Sequence, residues 1–186
     1  MSILEHLRRV GAAAVLAAVV CTPAFAANLA TAQLKATSGK PVGDVDLTQT
    51  PSGVLLRVSI KGLSPGEHAF HIHEFGKCEP PFTSAGGHFN PKHHKHGYMS
   101  GEGHAGDMPN LHVPQSGTLS VEVLNPNVTL EKGKPNSLFD NDGSSIVIHA
   151  KADDYKTDPA GNAGGRNACG VIVESGAATV GSPPRK

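Results

Sequence analysis

The chain has 186 residues, with 16 basic and 16 acidic side chains and a formal net charge of zero at pH 7. This length suits one domain with a short extension, and the balanced charge gives no basic surface for nucleic acid or an anionic membrane. Only 4% of the residues are aromatic, whereas 22 glycines and 14 prolines punctuate the sequence, a composition typical of short strands joined by turns.

The first 26 residues have the pattern of a secretory signal. Arg8 and Arg9 give a positive start, an apolar run covers residues 10–20, and residues 24–26 read Ala-Phe-Ala, which a signal peptidase recognises. We therefore predict cleavage after Ala26, export, and a mature domain of residues 27–186 with no membrane contact. A membrane anchor is the alternative, although the apolar run is short for a bilayer span.

The rest of the chain alternates apolar and polar residues in short stretches. The clearest stretch is 54–60, where Val54, Leu56, Val58 and Ile60 share one face of an extended strand. Eight such stretches are predicted to be strands: 29–36, 42–50, 54–60, 67–74, 110–113, 118–123, 145–150 and 168–174. Turn residues separate them, and this pattern predicts an all-β sandwich or flattened barrel.

Two long stretches interrupt this rhythm, from about residue 75 to 108 and from about residue 151 to 167. Loops of this length inside a compact domain are usually functional or disordered. These two contain most of the polar residues that could perform chemistry. We therefore predict that the functional site is built from them.

Two cysteines, Cys78 and Cys169, remain after removal of the signal. In an oxidising compartment a lone pair of cysteines predicts one disulfide. Two free thiols, or two thiolate metal ligands, are the alternative.

The first of two histidine patterns lies on predicted strands. His71 and His73 are two residues apart, so their imidazoles project from the same face of a strand. His149 ends another alternating run and can approach from a neighbouring strand. Three such imidazoles suit copper, although a His-x-His pair by itself is a weak signal.

The second pattern lies on the first long loop. Its members follow at intervals of 8, 8 and 3 residues: His88, His96, His104 and Asp107. Three imidazoles and a carboxylate can enclose a tetrahedral zinc ion and order a glycine-rich loop. A solvated histidine-rich tract that binds metals loosely is the alternative, and His93 and His94 fit that description.

Five further stretches together resemble one known family. They are residues 70–76, 86–91, 104–107, 149–154 and 161–172. In this order they resemble the copper–zinc superoxide dismutases, and the Cys-Glu-Pro-Pro segment that begins at Cys78 is similar to the bacterial periplasmic branch. The resemblance covers nearly all of the mature chain, and it implies an eight-stranded Greek-key flattened barrel, immunoglobulin-like, with two long functional loops.

The resemblance also implies a role for each site residue. The implied copper ligands are His71, His73, His88 and His149. The implied zinc ligands are His88, His96, His104 and Asp107. His88 would bridge the two ions and carry a proton, Arg166 would guide the anion, and Asp153 would tie the two ligand sets together. Cys78 and Cys169 would form the family's disulfide.

The implied activity is dismutation of superoxide to dioxygen and hydrogen peroxide, protecting the cell envelope from oxidative damage. The main alternative is a non-catalytic periplasmic copper- and zinc-binding protein on the same fold. A copper electron-transfer protein would need a free cysteine thiolate, and a zinc hydrolase would need an open zinc position. The sequence leaves open a monomer or a homodimer, and whether Lys77, Lys151 or Lys156 helps to recruit superoxide.

Overall fold

The computed structural model describes residues 27–178, and the predicted signal lies outside them. These residues form nine strands and a short 3₁₀ helix, Thr83–Ala85. The strands are β1 (Ala27–Ala36), β2 (Pro41–Thr50), β3 (Gly53–Lys61), β4 (Gly66–His68), β5 (Phe70–His73), β6 (Leu111–Val113), β7 (Thr118–Asn125), β8 (Ser145–His149) and β9 (Arg166–Ala178). Within this part of the chain no helix is long and apolar enough to cross a membrane. The predicted all-β class is confirmed.

Seven strands form one curled antiparallel sheet in the order β5-β8-β9-β1-β2-β3-β7, and β4 pairs with β6 in a separate ribbon. Eight predicted segments contain nine strands because the segment 67–74 changes partners at Ala69. The Ala69 N–H donates to the Lys151 carbonyl, and the Ala69 carbonyl accepts from His149 N–H. The chain therefore leaves β6 and joins β8 at this residue.

The core follows the predicted alternation. Val54, Leu56, Val58 and Ile60 on β3 are all buried. On β7, Leu119, Val121 and Val123 face the core but are only half-buried, because β7 lies at the edge of the large sheet. The sheet thus supplies a rigid base from which the two long loops can hold a polar site.

The first long loop, residues 74–110, is fastened to β5 by backbone hydrogen bonds. Ile72 N–H donates to Gly106 O at 2.9 Å, Gly106 N–H to Phe89 O at 2.8 Å, and Phe89 N–H to Ile72 O at 2.9 Å. A Cβ at Gly106 would overlap the Ile72 carbonyl oxygen, so only glycine permits this approach. As a result, His88 and Asp107 stand beside His73 and His71.

A disulfide joins the same loop to β9. Cys78 and Cys169 are bonded, with their Cα atoms 5.6 Å apart and 91 positions apart in sequence. The predicted disulfide is confirmed. The second long loop, residues 150–165, packs beside the first and leads directly into Arg166 at the start of β9.

Candidate metal centre

Two groups of buried side chains could each hold a metal ion. The first group consists of His71, His73, His88 and His149. The second group consists of His88, His96, His104 and Asp107. In each group the four possible ligand atoms lie within 4.8 Å of one another, and His88 belongs to both.

The first group, termed group A, is built on the sheet. His71 and His73 project from β5, and His149 ends the neighbouring strand β8, which pairs with β5 from Phe70 to His73. The Nε2 atoms of His73 and His149 are 3.3 Å apart, and the ring centroids of His71 and His88 are 3.9 Å apart. The predicted same-face projection of His71 and His73 thus brings four imidazoles together.

The second group, termed group B, is built on the first long loop around one carboxylate. Asp107 Oδ1 lies 2.9 Å from His88 Nδ1, 3.0 Å from His96 Nδ1 and 3.5 Å from His104 Nδ1. Asp107 Oδ2 accepts the backbone N–H groups of Gly97 and His104, which fixes the carboxylate. Three imidazoles and a carboxylate in this arrangement suit the tetrahedral coordination of zinc.

Several of these imidazoles have a buried nitrogen with no hydrogen-bond partner among residues 27–178. These atoms include His71 Nδ1, His88 Nε2 and His104 Nδ1. An unpaired buried nitrogen costs free energy because it has lost its contact with water. A metal ion that accepts the lone pair removes this cost, so both groups fit a bound cation.

The opposite ring nitrogens are held by the protein. Asp153 accepts a hydrogen bond from His71 Nε2 at 2.7 Å and another from His96 Nε2 at 2.9 Å. His73 Nδ1 donates to the Gly86 carbonyl at 3.0 Å. Asp153, which is buried, therefore contacts one member of each group and fixes the orientation of both rings.

The protonation states also favour metal binding in group A. Burial lowers the pKa of His88 to about 4 and that of His149 to about 3, and it lowers the pKa of His73 well below its usual value. These imidazoles are therefore neutral at pH 7, and a neutral imidazole has the lone pair that a metal requires.

In group B the carboxylates dominate. Burial opposes protonation of His96, but hydrogen bonds to Asp107 and Asp153 outweigh it and raise the pKa of His96 to about 9. Burial alone would raise the pKa of Asp107, yet the imidazoles of His104, His88 and His96 beside its carboxylate hold it well below its usual range. Without metal, group B therefore holds a proton that a cation would displace.

An open cleft of about 420 Å³ gives solvent access to group A. Arg166 lines it together with His73, His88 and His149. The Arg166 guanidinium donates to the carbonyls of Phe82 at 2.6 Å and Gly86 at 2.5 Å. Burial lowers the pKa of Arg166, but an arginine remains charged in proteins, so the cleft contains a fixed cation.

The remaining histidines of the loop region have other positions. His68 is buried and its ring contacts the carbonyls of His149 and Ser64, so it supports the sheet outside both groups. His93 and His94 line the rim of the cleft, and His94 Nδ1 lies 3.3 Å from Glu102 Oε2. Neither residue belongs to a metal-binding group found among the described residues.

Sequence reasoning missed two features of the site. The carbonyls of Phe82 and Gly86 accept hydrogen bonds from Arg166. Every residue has a backbone carbonyl, so residue types and their spacing could not predict these contacts. Asp158 was also missed, although it lies in the second predicted loop; its Oδ1 accepts the backbone N–H of His96 at 2.8 Å. By contrast, the candidate residues Lys77, Lys151 and Lys156 do not line the described cleft.

Comparison with known proteins identifies the same family throughout. Residues 42–172 match the family model described as copper/zinc superoxide dismutase (SODC). The chain is 58% identical over 137 residues to "Superoxide dismutase [Cu-Zn] 1" of Aquifex aeolicus, covering 72% of this chain and 81% of that one. It is 47% identical over 148 residues to "Superoxide dismutase [Cu-Zn]" of Caulobacter vibrioides, covering 77% and 84%.

A solved structure has the same fold. The crystal structure of a SOD-like protein from Bacillus subtilis superposes with a TM-score of 0.74 at 41% identity, covering 77% of this chain and 97% of that one. The likeness in sequence and the likeness in fold therefore each cover about three quarters of the chain.

We predict that the metal-free protein is most stable near pH 6.5. His88 and His149 have folded pKa values of about 4 and about 3, below the ordinary value of 6.5. Between these values and pH 6.5 the unfolded chain binds more protons than the folded one, so acidification below pH 6.5 destabilises the fold. His96 has a raised pKa of about 9, so its stabilising contribution is lost as pH rises from 6.5 to 9. Urea unfolding of the chelated protein on both sides of pH 6.5 measures the loss of stability in acid and the loss in base.

The variant His96→Gln separates the loss of stability in base from the loss in acid. It should remove most of the loss of stability above pH 6.5 and retain most of the loss in acid, because burial is the largest cause of the low pKa values of His88 and His149. If the free energy of unfolding of this variant still declined equally between pH 6.5 and 9, the loss in base would belong to another group.

Proposed function

The chain belongs to the copper/zinc superoxide dismutase family, and we propose on this premise that group A binds copper and group B binds zinc in an exported superoxide dismutase. The observation that carries the proposal is the position of His88, whose Nδ1 faces Asp107 of group B while its Nε2 lies among the rings of group A. One imidazole can therefore contact both ions. The substrate is superoxide, and the cofactors are copper and zinc.

Bound copper supplies the one-electron chemistry that converts one superoxide to dioxygen and a second, with two protons, to hydrogen peroxide, while redox-inert zinc orders the loop. The chain contributes the positions of the groups. Asp153 and the Gly86 carbonyl hold the rings of His71, His96 and His73 rigid. His88 Nε2 is buried without a protein partner among the described residues, so it can bind the ion of group A or, when it is free of that ion, hold a proton destined for the peroxide.

Arg166 docks the substrate in this proposal. Its guanidinium is fixed by two carbonyls of the disulfide-linked loop and lines the same cleft as His73, His88 and His149. A planar, permanently charged donor binds a small anion well. The Cys78–Cys169 bond, three residues along β9 from Arg166, holds the loop that supplies those carbonyls.

The main alternative is a non-catalytic metal-binding protein on the same fold. Such a protein needs the two ligand groups, but it has no use for an open cleft or for a fixed cation beside it. Both are present, which favours catalysis. A copper electron-transfer protein is a weaker alternative because Cys78 and Cys169 are joined in a disulfide and offer no free thiolate. A zinc hydrolase is also weaker because group B offers four protein ligands, which leaves no open zinc position.

Metal removal tests the proposal directly. Chelated protein should lose superoxide dismutation, copper with zinc should restore it, and zinc alone should raise the unfolding temperature without restoring activity, because a ligand that binds only the folded state stabilises it. Superoxide decay and thermal unfolding measure the two effects. A protein that binds both ions and leaves superoxide decay unchanged would support the non-catalytic alternative.

Two variants test the shared position of His88 within the same titrations. His88→Ala should weaken both copper and zinc, whereas His149→Ala should weaken copper and spare zinc. Equal zinc affinity in His88→Ala and the unmodified protein would exclude the bridge.

Removal of Arg166 should slow capture of superoxide. We expect Arg166→Ala to lower kcat/KM on the order of 10-fold and to flatten its dependence on ionic strength, whereas Arg166→Lys retains part of both. Electrostatic steering, for which this enzyme family is a known example, gives effects of this size. Stopped-flow kinetics at several salt concentrations measure the change.

Arg57→Ala is the matched control, because it removes the same charge from an exposed side chain that pairs with Glu122 on the neighbouring strand. Its kinetics should match those of the unmodified protein. Equal rates and equal salt dependence in Arg166→Ala and Arg57→Ala would refute the assigned role.

Export is the remaining element of the proposal. We propose that residues 1–26 direct the chain to the periplasm and are removed, so that residues 27–186 act there against oxidative damage to the cell envelope. Fractionation and N-terminal sequencing after expression in a bacterium should find mature protein that begins at Ala27 in the periplasmic fraction. Ala24→Leu, which spoils the cleavage pattern, should retain the leader; an unprocessed cytosolic chain would contradict this part.

A further inference from the structure

The histidines of groups A and B use their two ring nitrogens in a similar way. A ring nitrogen faces the group, and where the opposite nitrogen is held, it is held by an acceptor of the protein. His71 and His96 use the two oxygens of Asp153, and His73 uses the Gly86 carbonyl. Such outer acceptors fix the tautomer and the ring orientation of a metal ligand and increase its basicity.

His104 has a different outer neighbour. Its Nδ1 faces Asp107 and has no hydrogen-bond partner within residues 27–178. Its Nε2 lies 3.9 Å from Asp158 Oδ1, the same oxygen that accepts the backbone N–H of His96 at 2.8 Å. Asp158 Oδ1 therefore lies close to two members of group B.

Packing and ordinary ion pairing do not account for Asp158. Its side chain is 54% exposed, and in the described part of the chain no lysine or arginine lies within ion-pair distance of it. The turn that carries it is organised by another residue, because Asp154 accepts the N–H groups of Lys156 and Thr157 and the side-chain amide of Asn162. Asp158 is thus an exposed acid whose described contacts are with zinc-group residues.

We propose that Asp158 is a positioning residue for zinc, which orients His104 through Nε2 and fixes the backbone of His96. The proposal rests on the proposed function, because it takes group B to be the zinc site. With Nδ1 directed to the ion, Nε2 of His104 carries the ring hydrogen, and Asp158 is the carboxylate beside it. Their separation of 3.9 Å is beyond a direct hydrogen bond, and one water or a small movement of the exposed Asp158 side chain joins them. Loss of such an outer acceptor typically weakens metal binding about 10- to 100-fold.

The experiment compares zinc affinity in Asp158→Asn with that in Asp44→Asn. Both variants remove one negative charge from an exposed aspartate, but Asp44 lies on β2 and contacts neither group. Competition with a chromophoric zinc chelator should show a Kd about 10- to 100-fold higher for Asp158→Asn and nearly unchanged for Asp44→Asn. Cobalt bound in place of zinc should give an altered visible spectrum in Asp158→Asn alone.

Two further measurements separate positioning from folding. Asparagine retains an oxygen for His96 N–H, so the unfolding temperature of metal-free Asp158→Asn should match that of the unmodified protein, and copper affinity should also be unchanged. An unchanged zinc Kd in Asp158→Asn would overturn the proposal, as would an equal loss of zinc affinity in Asp44→Asn. If the unmodified protein itself binds no zinc, the proposed function fails, and that result is distinct from failure of the Asp158 assignment alone.

Discussion

The site depends on one constraint: each nitrogen of a buried imidazole needs a partner once water has been removed. Asp107 and Asp153 meet much of this need, with the two oxygens of Asp153 divided between His71 and His96. Among residues 27–178, nitrogens without a protein partner remain on His71, His88, His104 and His149, all within the two ligand groups. A pair of cations completes the arrangement, so metal binding and burial of the histidines are two aspects of the same energetic balance.

The fold makes that balance possible by holding the loops as firmly as the strands. Backbone hydrogen bonds from Ile72 to Phe89 and Gly106 place the first long loop directly on β5. The Cys78–Cys169 bond fixes its other part to β9, beside Arg166. A loop held at both points keeps the cleft open on one side and the ligands rigid on the other, which is what a reaction with a small diffusing anion requires.

Much of this arrangement could be predicted from local pattern. The alternation around Val54 gave the buried face of β3, and the spacing of His71 and His73 gave two imidazoles on one face, because the strand period of two is a property of the backbone. The pairing of Cys78 with Cys169 followed from their number and from the predicted compartment. The change of partners at Ala69 could not be predicted, because it depends on hydrogen bonds to a loop more than 80 residues away.

The sequence by itself determined the chemical types available, namely a large excess of histidines, a pair of cysteines and a likeness to one metalloenzyme family. Spacing and resemblance already separated His96 and His104 from His93 and His94. Only the tertiary structure decided how His96 and His104 meet at Asp107, and it alone revealed Asp158 beside both. The physical reason is that strand periodicity fixes side-chain direction over a few residues. Within a long loop, direction is set by the distant groups that the backbone meets.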